Sequence, residues 1–324
     1  MKKWLISLLA VMLLAGCTEE TQETQTPETE TEDVASEDVA SGDSEVTFPL
    51  TVTDSVGNEV TIEEAPDSII SMIPSNTEIL FALGLDEEVV GVTDYDNYPE
   101  AATTKEKIGA FEFNIEKMTA LQPDLILAHE SSWSTAEAGL QPLIDAGVPI
   151  YVVDNAMSFE DTYGTIEAIG AVTGKAEEAA TIVSDMQAQV EEITAQLEAV
   201  ETKKTVFIES SGDPEIYTAG QGTLMQELLD RINAENLVAD QEGWLLMNGE
   251  EIVSRNPDVI VLTYNYIENA VDAVKARPGF DQITAVQQDA VVQVNEDIVT
   301  RPGPRLAEAL QELARAVYPE VMND

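Results

Sequence analysis

The 324-residue chain has one cysteine, one histidine and 15 basic residues against 62 acidic ones. One cysteine excludes any disulfide within the chain, and a domain of this size has core enough to fold without one. One histidine, His129, excludes sites built from several imidazoles, so no transition-metal centre is expected. Alone, His129 is either a ligand to a metal or haem iron or a hydrogen-bonded structural residue, and the second is the commoner role. No G-x-S-x-G, no H-E-x-x-H and no second cysteine appear, and GQGTLM at Gly220 lacks the third glycine of a dinucleotide loop. No catalytic apparatus and no cofactor are therefore expected. The net charge of -47 makes nucleic acid an unsuitable partner, and it suits a protein kept soluble in a salty or alkaline exterior. Arginine is absent before Arg231.

What is present begins with MKKWLISLLAVMLLAGC. Two lysines, an apolar run from Trp4 to Leu14 and small residues before Cys17 read as a signal peptide, too short for a permanent span. The run Leu14-Ala15-Gly16-Cys17 is similar to the lipobox of bacterial lipoproteins, a resemblance that implies lipidation of Cys17 and anchoring to the extracytoplasmic face of the cell membrane. Residues 18–47 hold eleven acids and no base. With no aromatic to bury, they are expected to form a disordered, self-repelling tether.

From residue 48 onward short apolar runs alternate with helical patterns: SIISM, EILFALG, VVGVT, LILAH, IYVVD. This is the rhythm of an α/β fold with a parallel sheet wrapped by helices. The rhythm pauses at one long helical pattern, Lys175 to about Val200, whose apolar positions Ala179, Ile182, Val183, Met186, Val190, Ile193, Leu197 and Val200 recur every three or four residues. It then restarts with TVFIES, LMQELLDRI, DVIVLTY and AVVQV. The element LQPDLILAHE returns as RNPDVIVLTY, so two related lobes are expected, 48–173 and 203–324, joined by a rigid helix at 174–202. In open parallel sheets ligands bind beyond the carboxyl ends of the strands, which places a cleft between the lobes.

The loops that follow the strands are rich in aromatics: Tyr95 and Tyr98 in DYDNYP, Trp133 in ESSW, Tyr264 and Tyr266 after DVIVL, and Trp244 in QEGWLLMNGEE. Paired aromatic walls suit a large, partly apolar ligand. Two glutamates open helices, one per lobe. Ser75 and Glu78 have the spacing of a capping box; Thr223 and Gln226 would form the other box, which leaves Glu227 without a capping role.

IPSNTEILFALG, GVTDYDNYPE, FNIEKMTALQPDLILAHESSW, the long helix, GTLMQELLDRINAENLV and TRPGPRLAEAL together resemble the cobalamin- and ferric-siderophore-binding proteins of bacterial ABC importers. The resemblance runs from about Asn58 to the carboxyl end. It implies two Rossmann-like lobes on one rigid helix, and delivery of a captured ligand to a membrane permease. It also implies that Glu78 and Glu227 meet permease arginines. The DYDNYP and SSW loops are most similar to cobalamin binders, whose corrin-clasping aromatics fall on Tyr95, Trp133 and Trp244; Tyr98, Tyr264 and Arg301 complete the expected ligand set. An amino-terminal lobe without arginine offers no guanidinium to a carboxylate-rich siderophore. Cobalamin is thus the expected ligand, with a ferric siderophore or haem as alternatives.

Overall fold

The computed structural model describes residues 46–322. The expected signal peptide, Cys17 and all but the end of the expected tether lie outside the described residues. The first lobe opens with an antiparallel hairpin of β1 (Leu50–Thr53) and β2 (Glu59–Ile62). There follow β3 (Ile69–Ser71), α1 (Pro74–Ala82), β4 (Val89–Val92), β5 (Glu106–Lys107), α2 (Ile115–Ala120), β6 (Leu125–His129), α3 (Glu130–Asp145), β7 (Ile150–Val153) and α4 (Phe159–Thr173). The sheet order is β5-β4-β3-β6-β7, parallel throughout. The lobes are joined by α5 (Ala176–Leu197).

The second lobe contains β8 (Thr205–Glu209), β9 (Ile216–Ala219), α6 (Leu224–Arg231), β10 (Glu235–Asn236), β11 (Trp244–Met247), α7 (Gly249–Arg255), β12 (Val259–Leu262), α8 (Ala270–Lys275), α9 (Thr284–Gln287), β13 (Val291–Gln293), α10 (Glu296–Val299), α11 (Leu306–Val317) and α12 (Pro319–Met322). Its parallel sheet has the order β10-β8-β12-β13, and β9 and β11 form a separate antiparallel ribbon.

The two central strands explain the repeated Pro-Asp element. LILAH of β6 and VIVL of β12 are buried along their whole length, as strands covered on both faces must be. Asp124 accepts hydrogen bonds from Ser68 Oγ at 2.8 Å and the Asp67 N–H at 3.2 Å, while its own N–H bonds the Ser68 carbonyl. Asp258 likewise accepts from the Thr205 N–H at 2.9 Å and donates to the Thr205 carbonyl. Each aspartate thus pins its strand to the first strand of its own sheet, at the amino ends, away from the cleft. The repetition is a structural clamp, and the carboxyl ends are left free to differ.

Helix α5 buries Ala179, Val183, Met186, Val190, Ile193 and Leu197 along one stripe. At 1.5 Å per residue it spans about 33 Å. It does not stand alone as a strut: it packs on α4 and α11, and its stripe belongs to an apolar core that runs from Ile79 and Leu80 in the first lobe to Val206 and Leu310 in the second. Gly170 permits the tight turn onto α5, because a Cβ there would sit 2.5 Å from that of Ala179. Breaking this shared core would expose apolar surface from both lobes, which gives the junction its rigidity.

Candidate functional site

The loop after β4 is built around Asp96. Its carboxylate accepts from the Thr93 N–H at 2.7 Å and the Thr93 hydroxyl at 2.5 Å, and Lys107 Nζ donates to its carbonyl at 2.9 Å. Burial pushes the Asp96 carboxyl above its usual range, only partly opposed by these hydrogen bonds. With Asp96 turned inward, Tyr95 and Asn97 project outward. Tyr95 is half exposed and meets Phe111 edge to face at 5.7 Å. Phe111 lies in the Gly109–Phe113 turn, where Gly109 is required: its φ is +100°, and a Cβ would stand 2.3 Å from the Glu112 carbonyl oxygen.

In the second lobe Tyr264 is fully buried. Its hydroxyl donates to Glu209 at 2.7 Å, and Arg277 binds the same carboxylate at 2.6 and 2.8 Å. Burial and the neighbouring carboxylate push this phenol well above its ordinary range. Tyr264 therefore supports the site from beneath and cannot line it, contrary to the expectation from sequence. Tyr266, two residues on, is exposed; it rests on Tyr264 with ring centroids 5.1 Å apart and accepts the Gly212 N–H at 2.9 Å.

Tyr95 and Tyr266 face one hollow of about 590 Å³ between the lobes. Pro74, Asp94 and Asn97 complete its first-lobe wall, and Asn265, Glu296, Asp297, Thr300 and Arg301 its second-lobe wall. The carboxyl ends of both sheets thus do converge on a cleft. Nearby, the β9–β11 ribbon leaves the end of β8 and exposes Tyr217, Trp244 and Leu246; the register pairs Leu246 with Tyr217, so these side chains share a face.

Arg301 borders the hollow, and both it and Glu78 are engaged in one ion-pair cluster. Arg305 Nε and Nη2 donate to Glu78 at 2.8 and 2.7 Å, and Arg301 Nη1 donates to it at 3.0 Å. The Glu78 side chain is only 2% exposed. Arg301 also binds Asp297 at 2.5 Å and Asn97 at 2.9 Å. Tyr98, expected to face a ligand, lies under the Arg305 guanidinium, 4.0 Å from its centre, while keeping an exposed edge. The Ser75–Glu78 capping box does not form, since Ile73 is the N-cap of α1 and Ser75 lies within the helix.

Trp133 also departs from expectation. ESSW is the first turn of α3, and the indole lies in a separate groove between that helix and β2, bordered by Glu137, Gln141 and Thr61. Trp244 does not border that groove. His129 caps α3: its Nδ1 accepts from the Ser131 N–H at 3.3 Å and shares a 2.8 Å contact with the Ser131 hydroxyl. Burial lowers its pKa, with Asp154 opposing, so the neutral ring is favoured. Thr223 caps α6 by accepting from the Gln226 N–H at 3.2 Å, but the Gln226 side chain turns to Asp230 and Asn236, leaving half a capping box. Glu227 accepts from the Phe159 N–H, at the start of α4, at 2.8 Å and pairs with Arg231 at 2.9 Å, keeping its side chain 24% exposed.

Sequence reasoning missed Phe111, the acidic pair Glu296 and Asp297, and the partners of Glu78. Phe111 alone carried a local signal, an aromatic between Gly109 and the next helix.

A family profile described as periplasmic binding protein matches residues 69–298. An uncharacterized ABC transporter substrate-binding lipoprotein of Bacillus subtilis (strain 168), YvrC, is 40% identical over 323 residues, covering 99% of this chain and 98% of the relative. A vitamin B12-binding protein of Pectobacterium atrosepticum is 28% identical over 76% of this chain and 87% of its own length. The crystal structure of a possible iron-binding (periplasmic solute-binding) protein from Staphylococcus epidermidis superposes with a TM-score of 0.73 at 38% identity, covering 79% of this chain and all of that one.

Proposed function

Because the chain belongs to the periplasmic binding protein family and is an ABC transporter substrate-binding protein, we propose that it captures a cobalamin between its lobes and hands it to a membrane permease. The observation that carries this reading is the convergence of Tyr95 and Tyr266, from different lobes, on one hollow of about 590 Å³. Opposed aromatic walls suit a large ligand with apolar faces and uncharged polar edges, which is the chemistry of a corrin bearing amide side chains. The B12-binding relative supports the same assignment. Phe111, against Tyr95, is assigned to the first wall, and Trp244, exposed on the β9–β11 ribbon, to a ligand reaching over the second. Tyr98 contributes its exposed edge.

A ferric siderophore is the second reading, favoured by the 38% identical structure described as possibly iron-binding; haem is the third. The deciding experiment is a thermal-shift panel on the full-length protein with cyanocobalamin, ferric hydroxamates, ferric catecholates and haem. A ligand at one hundred times its Kd stabilises the fold by about 2.7 kcal/mol, visible as a shift of several degrees. Cyanocobalamin should produce it. A shift with a ferric siderophore or haem alone would reverse the ranking.

Anchoring is assigned to lipidated Cys17, a reading supported by the lipoprotein name of the 40% identical relative. Among the described residues no helix is long and apolar enough to cross a membrane. Docking to the permease is assigned to Glu227, whose carboxylate keeps an exposed edge. Glu78 is enclosed by two arginines and would have to break a buried ion pair to take part.

A further inference from the structure

The interlobe hollow is bordered by three carboxylates, Asp94, Glu296 and Asp297, and by one cation, Arg301. That cation is already engaged. Its Nη1 binds Glu78 and Asn97, and its Nη2 binds Asp297 and, at 3.5 Å, the Tyr95 carbonyl. Arg305, behind it, is committed to Glu78 and covered by the Tyr98 ring. Lys107 is tied to the Asp96 carbonyl. A carboxylate entering the hollow would therefore meet Asp94 and Glu296, which have no ion-pair partner among the described residues, beside the paired Asp297, and no cation without a prior partner. Burial foremost, and Asp297 beside it, raise the Glu296 carboxyl above its ordinary range, opposed in part by a backbone hydrogen bond at Asn265 and by Arg301.

We propose that the hollow selects its ligand by charge: it accepts groups that donate hydrogen bonds (primary amides, hydroxyls, ammonium) and rejects carboxylates, with Glu296 and Asp94 as the specificity-determining residues. This rests on the hollow being the ligand site, but not on the ligand being cobalamin. It extends beyond corrinoids, since a cationic ferric hydroxamate satisfies the same rule and a citrate-type siderophore or a haem with free propionates does not.

The test uses two matched pairs of probes and the full-length protein purified in detergent, with affinities measured by calorimetry at one ionic strength. The first pair is cyanocobalamin and its monocarboxylic acid, in which one amide is hydrolysed. The second is ferrioxamine B, with its free ammonium, and the same complex succinylated to end in a carboxylate. In whichever pair binds, the acid should bind at least about tenfold more weakly, a factor well within what unpaired charge imposes on recognition. The double variant Glu296→Gln and Asp94→Asn should narrow that gap to about threefold or less. An acid that binds as tightly as its parent overturns the charge rule, as does a gap that the double variant leaves intact. Discrimination by the ferrioxamine pair with no binding of cyanocobalamin upholds the rule and overturns the cobalamin reading. Failure of all four compounds to bind overturns both.

Discussion

Glu78 and Arg305 lie 227 residues apart in sequence and form a two-pronged ion pair across the lobe junction, at 2.8 and 2.7 Å, with Arg301 as a third member. Charges this enclosed are expensive to separate. Removing one partner leaves the other buried and uncompensated, at a cost of about 3–5 kcal/mol. Glu78→Ala should therefore lower the unfolding free energy by roughly that amount, read by urea denaturation with an unchanged slope. A variant as stable as wild type would mean that the pair opens freely in solution and that Glu78 is available to a partner after all.

Stability should respond to pH through His129. In the unfolded chain the imidazole protonates near pH 6.5, whereas burial lowers that value in the folded state. Below about pH 6.5 the unfolded chain then binds more protons, so stability falls as pH falls toward the lower folded value. His129→Asn keeps an oxygen to accept the Ser131 N–H but cannot titrate. Between pH 7.5 and 5.5 wild type should lose up to about 1 kcal/mol more than this variant. Parallel stability curves would remove His129 as the cause.

Much of this architecture is legible residue by residue. LILAH and VIVL read as buried strands because no polar residue interrupts them until the cleft end, and the α5 stripe reads as helix because its apolar spacing never slips. The aromatic loops were visible for the same reason, being polar stretches in which Tyr95 and Tyr266 had no periodic role. Ion-pair partners were not visible: nothing local to PSNTEI announces two arginines more than 200 residues away. ESSW reads as a loop in sequence, but His129 caps it, and the Trp133 indole belongs to a helix side. Tyr264 and Tyr266 are two residues apart and share strand parity, so the pattern does not tell them apart; only the buried Glu209, which accepts the Tyr264 hydroxyl, decides which of them borders the hollow.

Fluorescence should separate Trp133 from Trp244. Trp244 is half exposed on the β9–β11 ribbon, whereas Trp133 lies in the groove between α3 and β2. Cyanocobalamin should quench wild type and Trp133→Phe substantially, and Trp244→Phe much less. Equal quenching of both single variants would place the ligand against Trp133 as well and require a different bound arrangement.

Replacing Cys17 with Ser should move the protein from the membrane fraction to the soluble fraction, because a signal peptide cleaved without lipid attachment leaves no apolar anchor. Continued membrane association after signal cleavage would make the lipobox reading wrong.

Glu227 presents two roles that one substitution can separate. As a structural residue it accepts the Phe159 N–H at 2.8 Å and pairs with Arg231, and its loss should cost no more than about 1–2 kcal/mol, as for other helix caps. As a docking residue it needs its charge. Glu227→Gln retains a carbonyl oxygen for Phe159 but cannot pair with a permease arginine, so ligand affinity and stability should stay near wild type. A charge pair at a protein interface is worth from about 1.5 kcal/mol upward, which corresponds to at least tenfold weaker docking and a matching loss of uptake at limiting protein. Uptake equal to wild type by a correctly anchored Glu227→Gln protein would reduce this residue to a cap for α4 and place the permease contact elsewhere on the two lobes.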